Sequence, residues 1–408
     1  MSINKLNLTI FTALKATAGQ RDGTFVLTKK FVEGVNEYVK YWPGEVFVWV
    51  QREHRPNNNL DHIEVHPDEL PFSLNWLEGA SVQRFYPGLS EATVVLAALV
   101  PEHIELAPLC KECSVPLVYI TEYSLKTRIQ IVWAETRNPL LRWRREYWAK
   151  STEKRYRRSV GLAAGIQCNG LPTFSAYRGL NQRSLLFFDT RVRLSQLVET
   201  ERLEKRLLTM RDGKSFRLGF SGRLIAMKGA DHLPVVAHEL RRLGVPFTMD
   251  ICGGGALEPA IRKDIQRLGL ESNVRLRGVL DFESELLPFI SDNVDLFICC
   301  HRQGDPSCTY LETYSCGVPI VGYANEAFSG LAIESDVGGK SWATSMDDPI
   351  SLARKIAYLN SNREEIEIAA RKALAFASLH TFENTMAKRV RHMLECQVHY
   401  TTNMSHEC

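Results

Sequence analysis

The chain has 408 residues, too many for one ordinary core and suited to two domains of about 200 residues each. Hydrophobic residues make up 45% and charged ones 24%, the mix of a soluble globular protein. The net charge of +3 is small for this length, so nucleic acid is not implied as a partner, and no apolar run approaches the roughly 20 residues that span a bilayer.

The N-terminus lacks the layout of a signal peptide, and the ten cysteines form no disulfide or zinc framework. A cytoplasmic location is expected. Strands are predicted at 6–13, 46–51, 93–99, 115–121 and 162–169, several of them apolar at consecutive positions, as in parallel strands covered on both faces. Helical patterns fall at 24–39, 102–113 and 140–157. The loop Ala18-Gly-Gln-Arg-Asp-Gly23 follows the first strand and precedes a predicted helix. Glu122 follows the strand at 115–121 and is read either as a site residue or as a surface glutamate. His103 reads as a helix-start residue.

Arg142-Trp-Arg-Arg-Glu-Tyr-Trp-Ala-Lys150, continuing to Arg158, interleaves aromatic and cationic residues on a predicted helix. Such a segment either makes peripheral contact with an anionic membrane surface or lipid diphosphate, or is a solvated helix packing its tryptophans inward.

A hinge is expected at 187–191, followed by a charged segment at 194–210 and a turn at 211–214. Beyond it the βα rhythm is cleaner. Strands are predicted at 216–221, 247–252, 274–276, 294–300 and 319–321. Helices are predicted at 231–243, 258–268, 283–291, 307–316, 350–359 and 364–377. Alternation of this kind gives parallel sheets with right-handed crossovers. The last helical run, 384–396, is expected to pack back across both domains. The expected domains are 1–190 and 191–385, with a C-terminal helix and tail at 386–408.

Two elements carry chemistry. The strand ending at Ser221 delivers Arg223 and Lys228 into a loop at the sheet's carboxyl edge, with Gly222 and Gly229 allowing close approach. Arg223 and Lys228 are either two solvated loop cations or fixed charges that stabilise a departing diphosphate, whose charge grows as its bond to a sugar breaks. Lys228 is expected to be an exposed loop residue. His301, at the end of its strand, is placed to face the same cleft. Asp305-Pro306 then reads as a helix start, with the amides of Ser307, Cys308 and Thr309 directed out of the helix end toward an anion. Glu312 lies on the same helical face, where a carboxylate can accept both hydroxyls of a ribose.

These residues carry a resemblance. Gly222-Arg-Leu-Ile-Ala-Met-Lys-Gly229, Cys252-Gly-Gly-Gly255, Leu268-Gly-Leu270 and Leu311-Glu-Thr-Tyr-Ser-Cys-Gly-Val-Pro-Ile-Val321 appear in the order and at the spacings of a known domain. The second half resembles the donor-binding domain of retaining GT-B glycosyltransferases, the large family-4 group, over about 215–380. The resemblance implies an α/β fold of two Rossmann-like parallel-sheet domains facing across a cleft. It implies a nucleotide-sugar donor held by Arg223 and Lys228 at the diphosphate and by Glu312 at the ribose. The nucleobase would pass Val279 in Gly278-Val-Leu280. The acceptor would be a sugar or lipid-linked sugar, and neither metal nor other cofactor would be required.

The sequence departs from that family at Gly304, where a glutamate is usual; neighbouring Asp305 either contacts the transferred sugar or only caps the helix. The loop Ala18–Gly23 occupies the place of the family's glycine-containing loop, so that Gly19 and Gly23 either form a phosphate loop near the donor or belong to an ordinary βα connection, and Glu122 stands near the place of a family histidine, to position the acceptor or steady charge at the sugar carbon. A nucleotide-sugar epimerase of the same fold and a non-catalytic sugar-nucleotide-binding protein are the rival readings.

Overall fold

The computed structural model describes residues 6–53, 62–79, 81–213, 215–304 and 306–407. The first domain is built on nine strands: β1 (Leu6–Ala18), β2 (Phe25–Thr28), β3 (Gly44–Arg52), β4 (His62–Val65), β5 (Ser73–Leu77), β6 (Val94–Ala98), β7 (Leu117–Thr121), β8 (Gly165–Asn169) and β9 (Ser184–Phe187). Seven of them form a parallel sheet in the order β5-β3-β1-β6-β7-β8-β9. Val94, Val95, Leu96 and Ala97 are all buried, as a strand with helices on both faces requires.

The second domain has six strands, β10 (Phe216–Ser221), β11 (Phe247–Cys252), β12 (Val274–Gly278), β13 (Leu296–Cys299), β14 (Ile320–Tyr323) and β15 (Ala343–Thr344). All are parallel, in the order β12-β11-β10-β13-β14-β15. In each sheet the order reverses beside its first strand, at β1/β6 and at β10/β13. Ligands of open α/β sheets bind outside the carboxyl ends at such a reversal.

The beginning of the chain differs from the sequence expectation. β1 runs to Ala18, and Phe25–Thr28 forms β2, antiparallel to both the end of β1 and β4. The alternating Phe-Val-Leu-Thr segment satisfies its main chain in this ribbon, and the helix begins later, at Lys29–Tyr41, capped by the Thr28 hydroxyl. Consequently the Gly19–Gly23 loop turns a hairpin rather than opening a helix. It is tied to Glu64 of β4, which accepts from Thr24 Oγ1 at 2.6 Å and from the Arg21 amide at 2.9 Å.

The chain crosses between domains after Phe187 and enters the helix Thr200–Asp212. It returns through the C-terminal helix Phe382–Glu407, whose Phe382, Met386, Val390 and Met393 are buried in the first domain's core. Burying each such side chain contributes roughly 1.5–3 kcal/mol. Arg389 Nε also donates to Gln167 Oε1 at 2.8 Å, fixing this helix to β8. The helix therefore belongs to the first domain's core, as well as closing the chain's path across both.

Candidate active site

A cleft of about 490 Å³ opens between the carboxyl edges of the two sheets. From the second domain it is lined by Gly222, Arg223, Lys228, Val279, Ser307, Cys308, Thr309 and Glu312. Lys30, Glu122, Asn169, Asp189 and Arg191 line it from the first domain and the crossing segment. Of the sequence-derived candidates, the structure leaves out of the cleft Gly19 and Gly23, which lie in the hairpin turn, and His301, while Asp305 lies outside the described residues; the others come together there.

The cation loop owes its shape to close main-chain contacts. Gly229 has φ +62°, and a Cβ there would lie 2.0 Å from the Cys300 carbonyl oxygen. The turn carrying Lys228 is thereby pressed against the end of β13. Arg223 is exposed to the cleft, but Lys228 is only 7% exposed, contrary to expectation. The short turn Ala226–Lys228 folds its side chain inward, where Nζ donates to Ser307 Oγ at 3.3 Å.

The helix expected from Pro306 begins at Thr309 and spans Thr309–Ser315. Ser307 and Cys308 precede it, and the Tyr310 amide donates to the Ser307 carbonyl in a tighter turn. Glu312 is buried and accepts from Arg191 Nε at 2.8 Å, while the Arg191 guanidinium lies 3.6 Å from the centre of the Phe282 ring. His301 does not face the cleft. It is buried against Tyr310, with the Tyr310 hydroxyl 3.3 Å from Nδ1, and burial followed by the nearby Lys228 charge keeps its ring neutral.

Sequence reasoning missed the opposite wall. Lys30 Nζ lies 2.6 Å from Asp189 Oδ2 and donates also to Cys308 Sγ at 3.0 Å; the Cys308 thiol in turn donates to Asp189 Oδ2 at 3.1 Å. This triangle ties the first domain and the crossing segment to the donor-side loop. Burial opposes the charge on both Lys30 and Asp189, but each overcomes it for the other: the ammonium is held well above its ordinary range and the carboxyl below its own. Glu122 accepts from Asn169 Nδ2 at 2.9 Å. Its surroundings push its pKa up, first by desolvation and then by the Asp189 charge, although the cleft mouth leaves the side chain within reach of water.

Gly304 is clasped from the first domain. Thr127 Oγ1 donates to its carbonyl at 3.2 Å and its amide donates to Gln130 Oε1 at 2.9 Å. Both partners stand on the helix Leu125–Glu135, which the Ser124 hydroxyl caps.

Two parallel-sheet Rossmann-like domains with the C-terminal helix returning to the first define a GT-B fold. Residues 204–374, most of the second domain, match the family model described as glycosyl transferases group 1. Among solved structures, the chain is similar to HepE of Anabaena in complex with UDP, with 14% identity, TM-score 0.63, and 95% of this chain and 99% of that one covered. It is similar also to sucrose-phosphate synthase of Thermosynechococcus elongatus, with 13% identity, TM-score 0.62, and coverage of 98% and 100%. WaaG, a glycosyltransferase involved in lipopolysaccharide biosynthesis, aligns with 13% identity and TM-score 0.57 over 94% and 98% of the two chains. At these identities the likeness is one of fold. No curated protein sequence matches the chain.

Proposed function

We propose that this chain is a retaining glycosyltransferase that moves a sugar from a nucleotide-sugar donor to a hydroxyl acceptor. The observation that carries the reading is the lining of one cleft by Arg223, Lys228, Ser307 and Glu312 on one wall, with Lys30, Glu122 and Asp189 on the other. Arg223 and Lys228 hold the donor diphosphate, and Glu312 exchanges Arg191 for the ribose hydroxyls. Val279 and Leu280 border the nucleobase. HepE, of the same fold, has been crystallised with UDP and with UDP-glucose, which supports a uridine donor as the first to try.

In this scheme the bond between the anomeric carbon and the diphosphate oxygen breaks, and the electron pair leaves with the diphosphate. The acceptor oxygen bonds to the same face of the carbon, and its proton passes to the departing diphosphate. Charge growing on that group meets two cations already in place, which is where preorganised charge lowers a barrier most. Glu122, ionised, faces the oxocarbenium-like carbon. Since Arg223 and Lys228 supply the positive charge, no metal is needed, and transfer is expected to persist in EDTA.

A place in cell-surface polysaccharide or glycolipid assembly, at the step that puts a first sugar on a hydroxyl outside the growing glycan, is part of the proposal. The helix Pro139–Leu162 supports it, with Trp143, Tyr147 and Trp148 exposed among arginines rather than packed inward. The test is incubation with a panel of nucleotide sugars, with and without acceptors, following nucleoside diphosphate release and the anomeric configuration of the product. Transfer with retained configuration is expected. Sugar isomerisation without an acceptor, or binding with neither transfer nor hydrolysis, would overturn the reading.

A further inference from the structure

We propose that the first domain contains a dedicated apolar pocket for the acceptor's body, and that the acceptor is an apolar alcohol or phenol. The inference rests on the transfer reading for its chemistry, although occupancy of the pocket does not depend on it. A cavity of about 400 Å³ lies at the carboxyl edge of the first sheet, at the β1/β6 reversal. Ile10, Leu96 and Ile120 line it from the strands, Phe31 from the helix Lys29–Tyr41, and Phe382 and Met386 from the C-terminal helix. Lys30, Glu122 and Asp189 line both this cavity and the donor cleft. A molecule seated here therefore presents one end to the reacting carbon.

One feature fits a vacancy meant to be filled. Gly34 sits within the helix Lys29–Tyr41 and lines the cavity, yet a Cβ there would meet no atom within 4 Å. Glycine weakens a helix interior relative to alanine, and no close packing requires it at this position. What glycine preserves is open space. Tyr38 lines the same cavity, but its hydroxyl is sealed from it, so what Tyr38 adds to the wall is carbon.

The walls also state a class. Thr12, Thr28 and Arg389 also line the cavity, but most of its wall is apolar, and a sugar, with hydroxyls on every side, would lose much of their hydration against Ile10, Leu96 and Met386. An apolar body with one hydroxyl loses nothing there and leaves its oxygen at the Lys30–Glu122–Asp189 rim. The volume lies near the lower end of the range for drug-sized ligands, too small for a long polyprenyl chain. In transfer, the hydroxyl oxygen of this molecule gains the bond to the anomeric carbon, the donor diphosphate takes the broken bond's electrons, and the hydroxyl proton follows to it.

The experiment measures binding of 1-naphthol, naphthalene, methyl glucoside and UDP to the full chain and to Gly34→Leu, Gly34→Ala and Tyr38→Phe. The wild type should bind 1-naphthol at one site. Gly34→Leu should weaken that at least tenfold, and Gly34→Ala less, with melting temperatures no lower than wild type and UDP affinity unchanged. Tyr38→Phe, which removes a hydroxyl that does not face the cavity, should leave the binding of both 1-naphthol and naphthalene unchanged. Unchanged 1-naphthol binding by folded Gly34→Leu, or methyl glucoside binding in preference to 1-naphthol, overturns the proposal. If the pocket binds 1-naphthol as described but no nucleotide sugar is ever turned over, the transfer reading fails and the pocket stands.

Discussion

Lys228 reaches the cleft from a three-residue turn with its side chain enclosed and Nζ on Ser307 Oγ. Lys228 lines the same cleft as Arg223, where a bound diphosphate would meet both cations. Lys228→Met keeps the aliphatic stem and removes the charge. It should lower kcat by about 10²–10³-fold with little change in melting temperature; near-wild-type turnover in a folded variant would remove Lys228 from the diphosphate site. Glu122 allows a separate test through pH. Desolvation and Asp189 raise its pKa above the ordinary carboxylate value, so it takes up a proton while exposed carboxylates are still charged. If the ionised form serves transfer, activity should fall on the acid side at a pH above that ordinary value. Glu122→Gln should flatten this limb and cost about 10²-fold on the plateau. The sign for stability is opposite: a carboxyl that binds its proton more tightly when folded stabilises the fold as it protonates. Melting curves across the same window therefore separate loss of chemistry from unfolding, and an acid limb that survives in Glu122→Gln assigns it to another group.

The helix Pro139–Leu162 starts cleanly, with Asn138 Oδ1 accepting from the Leu140 and Leu141 amides and proline in the first turn. Its outer face is unusual for a water-facing helix: Leu140 is 80% exposed and Trp143 70%, and Trp143 stacks on Tyr147 beside Arg142, Arg144 and Arg145. Aromatic rings and cations suit the interface of an anionic bilayer, and no helix among the described residues is long and apolar enough to cross one. The chain should co-sediment with vesicles containing phosphatidylglycerol but not with purely zwitterionic ones, and a Trp143→Ser/Tyr147→Ser double variant should lose most of that binding. Equal binding to both vesicle types would argue against an electrostatic surface contact. The helix was legible in the sequence, but which way its tryptophans point was not, because periodicity gives a face and not its neighbour. β10, β11 and β13 were legible because runs such as Leu296–Cys299 are apolar at consecutive positions. β2 was not: Phe25–Thr28 continues into a helical pattern, and only its distant partner β4 decides that it is a strand. The same holds in the cleft. Arg223, Lys228 and Glu312 sit on short local motifs, whereas the Lys30–Asp189 pair joins positions 159 residues apart. A signal was nonetheless present, since Asp189 and Arg191 directly follow the apolar end of β9 in the expected hinge.

Across the whole molecule, the two sheets are held in register by thin but specific contacts. The Gly304 clasp, the Lys126–Glu326 ion pair at 2.9 Å and the Lys30–Asp189–Cys308 triangle all lie around the cleft mouth. Each would break if the domains parted to admit a donor, so closure and assembly of the site are one event. Stability is shared over the same frame, and buried histidines set its response to acid. His103 in the first domain, with Nδ1 3.1 Å from the Ala98 carbonyl oxygen, is pushed down to about 4 by burial. His380, between the rings of Phe188 and Phe376 where the last helix turns back, is pushed down to about 4 by burial and then by Lys388. His301 in the second domain is lowered as well, by burial and then by the Lys228 charge. An unfolded histidine protonates near 6.5, so below that pH the unfolded chain binds protons that the folded chain refuses. The stabilisation is complete above about 6.5 and is lost progressively as pH falls toward 4. The melting temperature should therefore drop by about 5 °C or more between pH 7 and pH 5. His380→Phe, which keeps a ring between Phe188 and Phe376 but cannot take a proton, should visibly reduce that drop; an unchanged drop would mean that His380 is not among the groups responsible.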